Sequence, residues 1–229
     1  MTLWADKIMS YKKGLRGLPQ LPGETEWLLP YHSSESGRVM NLFYYKFYSD
    51  LVPRIFLFGI NPGRFGAGLT GISFTDPIRL EHICGIPNQF RPKPELSSEF
   101  IYEMIDQYGG VSVFYKAFYI TSVCPIGLVK NGRNFNYYDD RHVAEAVKPF
   151  IIQHIAEQVE MGAYRDLAIC IGQGKNATYF KGINEEFGFF KDVAILPHPR
   201  WIMQYRRKIK PDYINLYVRV LSDAFKTLN

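Results

Sequence analysis

The sequence predicts an α/β fold, a three-layer α/β/α sandwich around a central, mainly parallel four-stranded sheet. Three observations predict it. Four short apolar runs, at 54–60, 117–123, 166–171 and 191–197, read as strands. Helical stretches of crossover length separate them, and such connections join parallel neighbours. The first, RIFLFGI, is a short continuous apolar run where a half-exposed strand would alternate, as expected of a strand covered on both faces. With 229 residues, 47% of them hydrophobic, the chain can bury one full core, and a single domain spanning 1–229 is expected.

The elements follow in order. Residues 4–15 carry apolar side chains at helical spacing, and the Pro- and Gly-rich stretch GLPQLPGETEW after them reads as a loop covering the body. RIFLFGI (54–60) stops abruptly at Asn61-Pro62-Gly63. Residues 64–98 are rich in Gly, Pro and polar side chains, with a short helix over 77–84, and the next helix, 98–108, ends at Gly109-Gly110. VSVFYKAFYITSVCP (111–125) is dominated by β-branched and aromatic residues and predicts a strand or strand pair. Asp139-Asp140 opens a long helix reaching about residue 162. DLAICI (166–171) is the third strand, and GQGK (172–175) leads from it into a helix beginning near Asn176. KDVAILP (191–197) is the fourth and ends at His198-Pro199. Residues 211–228 open with Pro-Asp and repeat apolar side chains at Ile214, Tyr217, Val218, Leu221, Ala224, Phe225 and Leu228, an amphipathic closing helix with Pro211 in its first turn.

Composition narrows the function classes. The 27 Lys and Arg against 22 Asp and Glu, a formal charge of +5, lean toward a polyanionic partner. Cys84, Cys124 and Cys170 are odd in number and far apart, which excludes a disulfide framework and a C-x-x-C ligand set and makes a reducing cytoplasm the expected location. The N-terminal stretch lacks the apolar core of a signal peptide and no run reaches transmembrane length, so no membrane partner is expected, and the chain is expected to act as a monomer. The Asn176-Ala-Thr glycosylation pattern is read as chance.

The unusual sequences all fall at the carboxyl ends of the expected strands: NPG, SVCP, GQGK and HPR. That edge is where open α/β sheets bind ligands. In GINPGRFGAGLTG, glycines at 59, 63, 66, 68 and 71 make either a permissive turn or a bare backbone open to an anion or a planar ring, with Pro62 stiffening the chain behind Asn61. GQGK lacks the spacer of a P-loop; it is a tight strand-to-helix turn or, with Lys175 and free helix amides, a phosphate site. In LPHPRWIMQYRRKIK, Arg200, Arg206, Arg207, Lys208 and Lys210 surround Trp201, Ile202, Met203 and Tyr205 on a segment expected to lie off the core. Cations around an apolar wedge are what gripping and unstacking a duplex requires. None of the five His residues has metal-ligand spacing, no G-x-S-x-G elbow occurs and no carboxylate pair stands out, so neither a metal nor another cofactor is expected.

These motifs resemble the uracil-DNA glycosylase superfamily, and within it the single-strand-selective monofunctional (SMUG-type) branch. GINPGRFGAGLTGISF (59–74) resembles the branch's first motif, G-M-N-P-G-P-F-G followed by T-G and a P-F pair, and HPRW (198–201) resembles the second, which begins H-P-S-P. Between them Cys124-Pro125 and NGRN (131–134) are similar to its N-x-C-P-L and S-G-R-N stretches, in the same order, and the likeness spans roughly residues 26–225. The resemblance implies cofactor-free hydrolysis of the N-glycosidic bond of uracil, or a related deaminated base, in DNA, leaving an abasic site for base excision repair. It implies that Asn61 orients the attacking water and that His198 hydrogen-bonds the uracil O2 as the base departs. Gly59, Ile60, Pro62, Gly63, Phe65 and Thr70 would shape the pocket, Phe74 would stack on the flipped base, and Arg64, Arg200, Trp201, Met203, Arg206 and Arg207 would contact DNA, joined by Lys175 if the GQGK turn is a phosphate site.

The chain departs from the branch at three places. Ser122 stands two residues before Cys-Pro, where the branch has an Asn reading the Watson–Crick edge; a single hydroxyl does less than a carboxamide, which opens the pocket to another deaminated base such as xanthine. Arg64 replaces the second Pro of motif 1 and Trp201 the second Pro of motif 2, so a distinct, bacterial SMUG-like subfamily is expected. Hydrolysis of free nucleosides or nucleotides, and capture of damaged or single-stranded DNA without chemistry, are the alternative readings.

Overall fold

A computed structural model describes residues 2–226, apart from the side chain of His32. In chain order the elements are α1 (Trp4–Gly14), β1 (Thr25–Leu28), α2 (Ser34–Phe47), β2 (Arg54–Gly59), α3 (Ala67–Thr70), α4 (Pro77–His82), α5 (Leu96–Tyr108), α6 (Val111–Ala117), β3 (Phe118–Ser122), β4 (Gly127–Lys130), β5 (Arg133–Phe135), α7 (Arg141–Glu160), β6 (Ala163–Ile171), α8 (Lys175–Phe187), β7 (Asp192–Leu196), α9 (Pro199–Tyr205) and α10 (Lys210–Lys226). Leu228, the last apolar position of the expected closing helix, lies outside the described residues.

The four expected strands form one sheet in the order β3-β2-β6-β7, every pair parallel. All six residues of β2 are buried. Successive side chains on a strand point to opposite faces, so this requires helical cover on both. The α/β architecture is as the sequence predicts. The chain steps from β2 outward to β3 and then returns to β6 on the other side of β2. The connections leaving β2 and β6 therefore diverge, and a crevice opens at their carboxyl ends.

Three local expectations are corrected. Residues 111–117 are α6, not a strand. Gly109 and Gly110, at φ 122° and 88°, end α5 and redirect the chain into a new helix, and Tyr115 packs its ring 5.1 Å from that of Phe43. Tertiary packing overrides a β-favouring composition, and the strand begins only at Phe118. The helix α2 was not anticipated, although Ser33 accepts the Ser36 N–H as its cap at 3.0 Å and Val39, Met40, Phe43, Tyr44 and Phe47 form its buried face. Finally, the end of the expected loop is strand β1, paired with β4 of a hairpin whose turn is Asn131-Gly132 at φ 50° and 67°. Asn-Gly is the sequence a type I′ hairpin turn demands.

The resulting three-stranded antiparallel sheet, β1-β4-β5, is pressed onto the loop that leaves β2. Gly127 makes this contact possible, because a Cβ there would run into the Pro62 carbonyl oxygen and sit 3.0 Å from Leu28 Cδ2. Gly127→Ala is expected to cost about 1–3 kcal/mol of stability, since the obstructing atom is backbone that cannot rotate away. Gly182→Ala, in helix α8 with open space around it, is expected to be neutral or stabilising by up to about 1 kcal/mol. Urea unfolding of the two variants beside the parent checks the contrast.

Candidate active site

The ladder between β2 and β3 runs past both strand ends, with Val123 N–H donating to the Gly59 carbonyl (2.9 Å) and Cys124 N–H to that of Ile60 (3.0 Å). Asn61 is the first residue free of it. Its carboxamide is held by the segment that follows the hairpin: Nδ2–H donates to the Phe135 carbonyl at 3.1 Å and Oδ1 accepts from Tyr137 N–H at 3.4 Å. One donor and one acceptor on opposite ends of the amide define which way it faces. The loop beyond is cross-braced, with Gly68 N–H on the Gly63 carbonyl (2.8 Å), Arg64 N–H on Asn134 Oδ1 (3.1 Å) and the Arg64 guanidinium on the Gly132 carbonyl.

The glycines of this loop admit neighbouring protein. At Gly59 a Cβ would lie 2.9 Å from the Phe74 ring, and at Gly68 one would lie 2.7 Å from the Gly63 carbonyl oxygen. Phe74 itself has φ 51°, a left-handed backbone uncommon for a large side chain and costing about 1–3 kcal/mol where it persists. The turn is held by Thr70, whose buried hydroxyl donates to the Thr75 carbonyl at 2.8 Å and accepts Ile72 N–H at 3.1 Å. Thr70 was expected in the pocket; it braces the turn from behind and does not line it. Asp76, also fully buried, accepts from Arg79 N–H (2.8 Å), Glu95 N–H (2.9 Å) and the Arg79 guanidinium (3.1 Å). So engaged, it ties α4 to α5.

His198 leaves β7 and caps α9. Its Nδ1 accepts Arg200 N–H at 3.1 Å, so the proton of the neutral ring sits on Nε2. Burial, with the Arg200 charge beside it, pulls the imidazole pKa down to about 4. The ring stands 5.8 Å, centroid to centroid, from Phe74.

These groups share one cavity of about 930 Å³ at the carboxyl edge of the sheet. Of the predicted residues, Ile60, Asn61, Pro62, Gly63, Arg64, Phe65, Phe74, Ser122, His198, Arg200 and Trp201 line it. Gly59 lies behind Phe74, and Lys175 is exposed at the start of α8 outside the lining. Met203 and Ile202 are corrected: they are 3% and 0% exposed, the inner face of α9 packed into the core, so Met203 presents no surface to DNA. The outer face carries Trp201, 37% exposed, and Tyr205, 66% exposed, both at the cavity mouth. Arg206 stacks over Trp201 at 5.2 Å, and Arg207 pairs with Glu99 of α5 at 3.4 Å, which helps dock the segment. Arg133, Asn134, Asn136 and Tyr138 also line the cavity and were not predicted as site residues, though the Asn131-Gly132 turn signalled the hairpin that carries two of them. Asn176 is completely buried, bonded to Tyr137 OH at 2.8 Å, so the glycosylation pattern lies in the core. Among the described residues no cluster of three or more His, Cys, Asp or Glu side chains is placed to hold a metal ion.

Comparison with protein families matches residues 45–222 to the uracil DNA glycosylase superfamily. The chain belongs to this superfamily. It is a DNA glycosylase, a hydrolase whose substrate is DNA. Among solved structures, the wild-type SMUG2 of Pedobacter heparinus is 42% identical, with a TM-score of 0.94 over 100% of this chain and 99% of that one. No curated protein matches. The SMUG-type resemblance of the motifs is thus borne out across the whole chain.

A depressed His pKa makes a signed prediction. The unfolded chain takes up a proton on this imidazole near its ordinary value of about 6.5, whereas the folded glycosylase resists until about 4. The contribution to stability is complete above the higher value and is lost as pH falls between the two. Nitrogen-15 NMR of imidazole-labelled protein is expected to show His198 as the Nε2–H tautomer at pH 6, titrating near pH 4.

Proposed function

We propose that the protein excises uracil or a related deaminated base, with xanthine as a candidate, from DNA by monofunctional hydrolysis. The observation that carries this reading is the pairing, across one cavity, of a clamped Asn61 carboxamide with a neutral His198 whose available proton is on Nε2. N-glycosidic cleavage develops positive charge on the sugar and negative charge on the departing base. A preorganised neutral donor against a base carbonyl oxygen stabilises that negative charge as it forms. Asn61 Oδ1 keeps a second lone pair to orient water toward the anomeric carbon, and the flipped base lies on Phe74. Water is the nucleophile, so an abasic site is the product of the base excision repair step.

Ser122, at the end of β3 with its residue only 7% exposed, faces the same cavity. Its one hydroxyl constrains the base edge less than a carboxamide would and occupies less volume, which supports acceptance of a purine such as xanthine beside uracil. The basic and aromatic mouth favours a polymeric substrate over a free nucleoside.

Incubating the protein with oligonucleotides carrying uracil, xanthine, hypoxanthine or thymine, then cleaving with alkali, is expected to reveal abasic sites for the first two. No release from any lesion would defeat the reading. Asn61→Ala and His198→Asn, the latter retaining an acceptor for Arg200 N–H, are each expected to slow single-turnover release by about 10²–10³-fold while unfolding like the parent. Ser122→Asn is expected to move the xanthine-to-uracil rate ratio toward uracil; an unchanged ratio would remove Ser122 from base selection.

A further inference from the structure

The cations near the cavity differ in whether a carboxylate holds them. Arg207 and Lys210 are paired with Glu99 and Glu103, and Arg79 with Asp76. Around the cavity, Arg64, Arg133 and Arg200, together with nearby Lys93, have no carboxylate within ion-pair reach among the described residues. Arg200 belongs to the α9 side of the mouth. The others come from a different part of the chain and form a compact group.

Its centre is Phe65. The Lys93 ammonium lies 3.6 Å from the ring centroid and the Arg64 guanidinium 4.5 Å, so one aromatic ring orders two like charges. The Arg64 guanidinium also donates to the Gly132 carbonyl at the hairpin turn, and the next residue, Arg133, is exposed and lines the cavity. Lys93 sits between Pro92 and Pro94, on a backbone with little freedom to carry the charge away. Among the described residues lining the cavity the acidic one is Glu95, whose carboxylate accepts Ser98 N–H at 2.9 Å; it disfavours a phosphate inside the cavity and leaves the rim for one. The Gly132 carbonyl and the Phe65 ring position these cations but carry no opposite charge to neutralise them, and an external polyanion supplies that partner.

We propose that Lys93, Arg64 and Arg133, ordered on Phe65, form a second lip that grips the DNA backbone at the linkages flanking the flipped nucleotide, distinct from the α9 side. The inference rests on the glycosylase reading of the cavity. Phe65, expected to shape the pocket, serves on this account as the platform for the cations.

The test measures binding of a uracil-containing oligonucleotide by fluorescence anisotropy at several salt concentrations. Lys93→Gln and Arg133→Gln are each expected to reduce the slope of log K against log salt by about 0.9 on duplex or about 0.7 on single-stranded DNA. Lys226→Gln, a charge paired with Asp223 on the last helix, controls for net charge and is expected to leave the slope alone. Phe65→Leu keeps an apolar side chain but removes the ring, and is expected to weaken binding with Lys93 and Arg64 still present. A scan with one neutral methylphosphonate linkage at a time is expected to find a linkage beside the lesion that weakens the parent but leaves Lys93→Gln unaffected. Unchanged slopes for both cation variants, or losses that add to Lys93→Gln at every linkage, would overturn the lip. If the parent binds but releases no base, the glycosylase reading fails, and the slopes still decide whether the lip contacts phosphate.

Discussion

The two hydrogen bonds on the Asn61 carboxamide, from Nδ2 to the Phe135 carbonyl and from Tyr137 N–H to Oδ1, are the constraint around which the cavity is organised. They join the loop leaving the central sheet to the segment leaving the antiparallel one. A side chain at a strand end would otherwise sample several rotamers, and each would point its oxygen elsewhere. For the bonds to form, the small sheet must approach the loop closely, which Gly127 permits against Pro62, and the hairpin must turn tightly, which Asn131 and Gly132 permit by their left-handed backbone. The same hairpin brings Asn134 onto Arg64 and presents Arg133 at the mouth. Orientation of Asn61, shape of the loop and charge at the rim share one origin.

On the other side of the cavity the constraint is electrostatic. A protonated imidazole at His198 would bring its own charge into a site already rich in cations, and burial with Arg200 disfavours that form. The neutral ring then has one donor, and the backbone N–H of Arg200 decides that it is Nε2–H. Phe74 packs beside it in a left-handed conformation held by the Thr70 hydroxyl, so the proposed stacking surface and proposed donor are fixed relative to each other before a base arrives. Preorganisation of this kind lowers the reorganisation demanded during reaction.

Much of the site was legible in order along the chain, because its components sit where apolar strands stop: Asn61 after β2, Ser122 at the end of β3 and His198 after β7. What misled was composition taken without partners. The β-branched and aromatic residues of 111–117 form a helix because Phe114 and Tyr115 find an aromatic cluster to fill, and Met203 enters the core because α9 rests on α5. Thr70 lies within the resembling motif, yet its hydroxyl turns toward the backbone it braces. Neighbouring positions in one motif divide between contacting a ligand and supporting those that do, and spacing alone does not separate them.

By itself the sequence determined the alternation of buried strands and amphipathic helices, the carboxyl-edge position of the unusual motifs and the family to which they belong, since these depend on hydrophobic period and on local chain stiffness. Only the tertiary structure decided the direction of the Asn61 amide, the neutral Nε2–H state of His198, the burial of Met203 and the union of Arg64, Phe65 and Lys93. Each of these is set by groups distant in sequence or by desolvation. Local propensity carries no information about either.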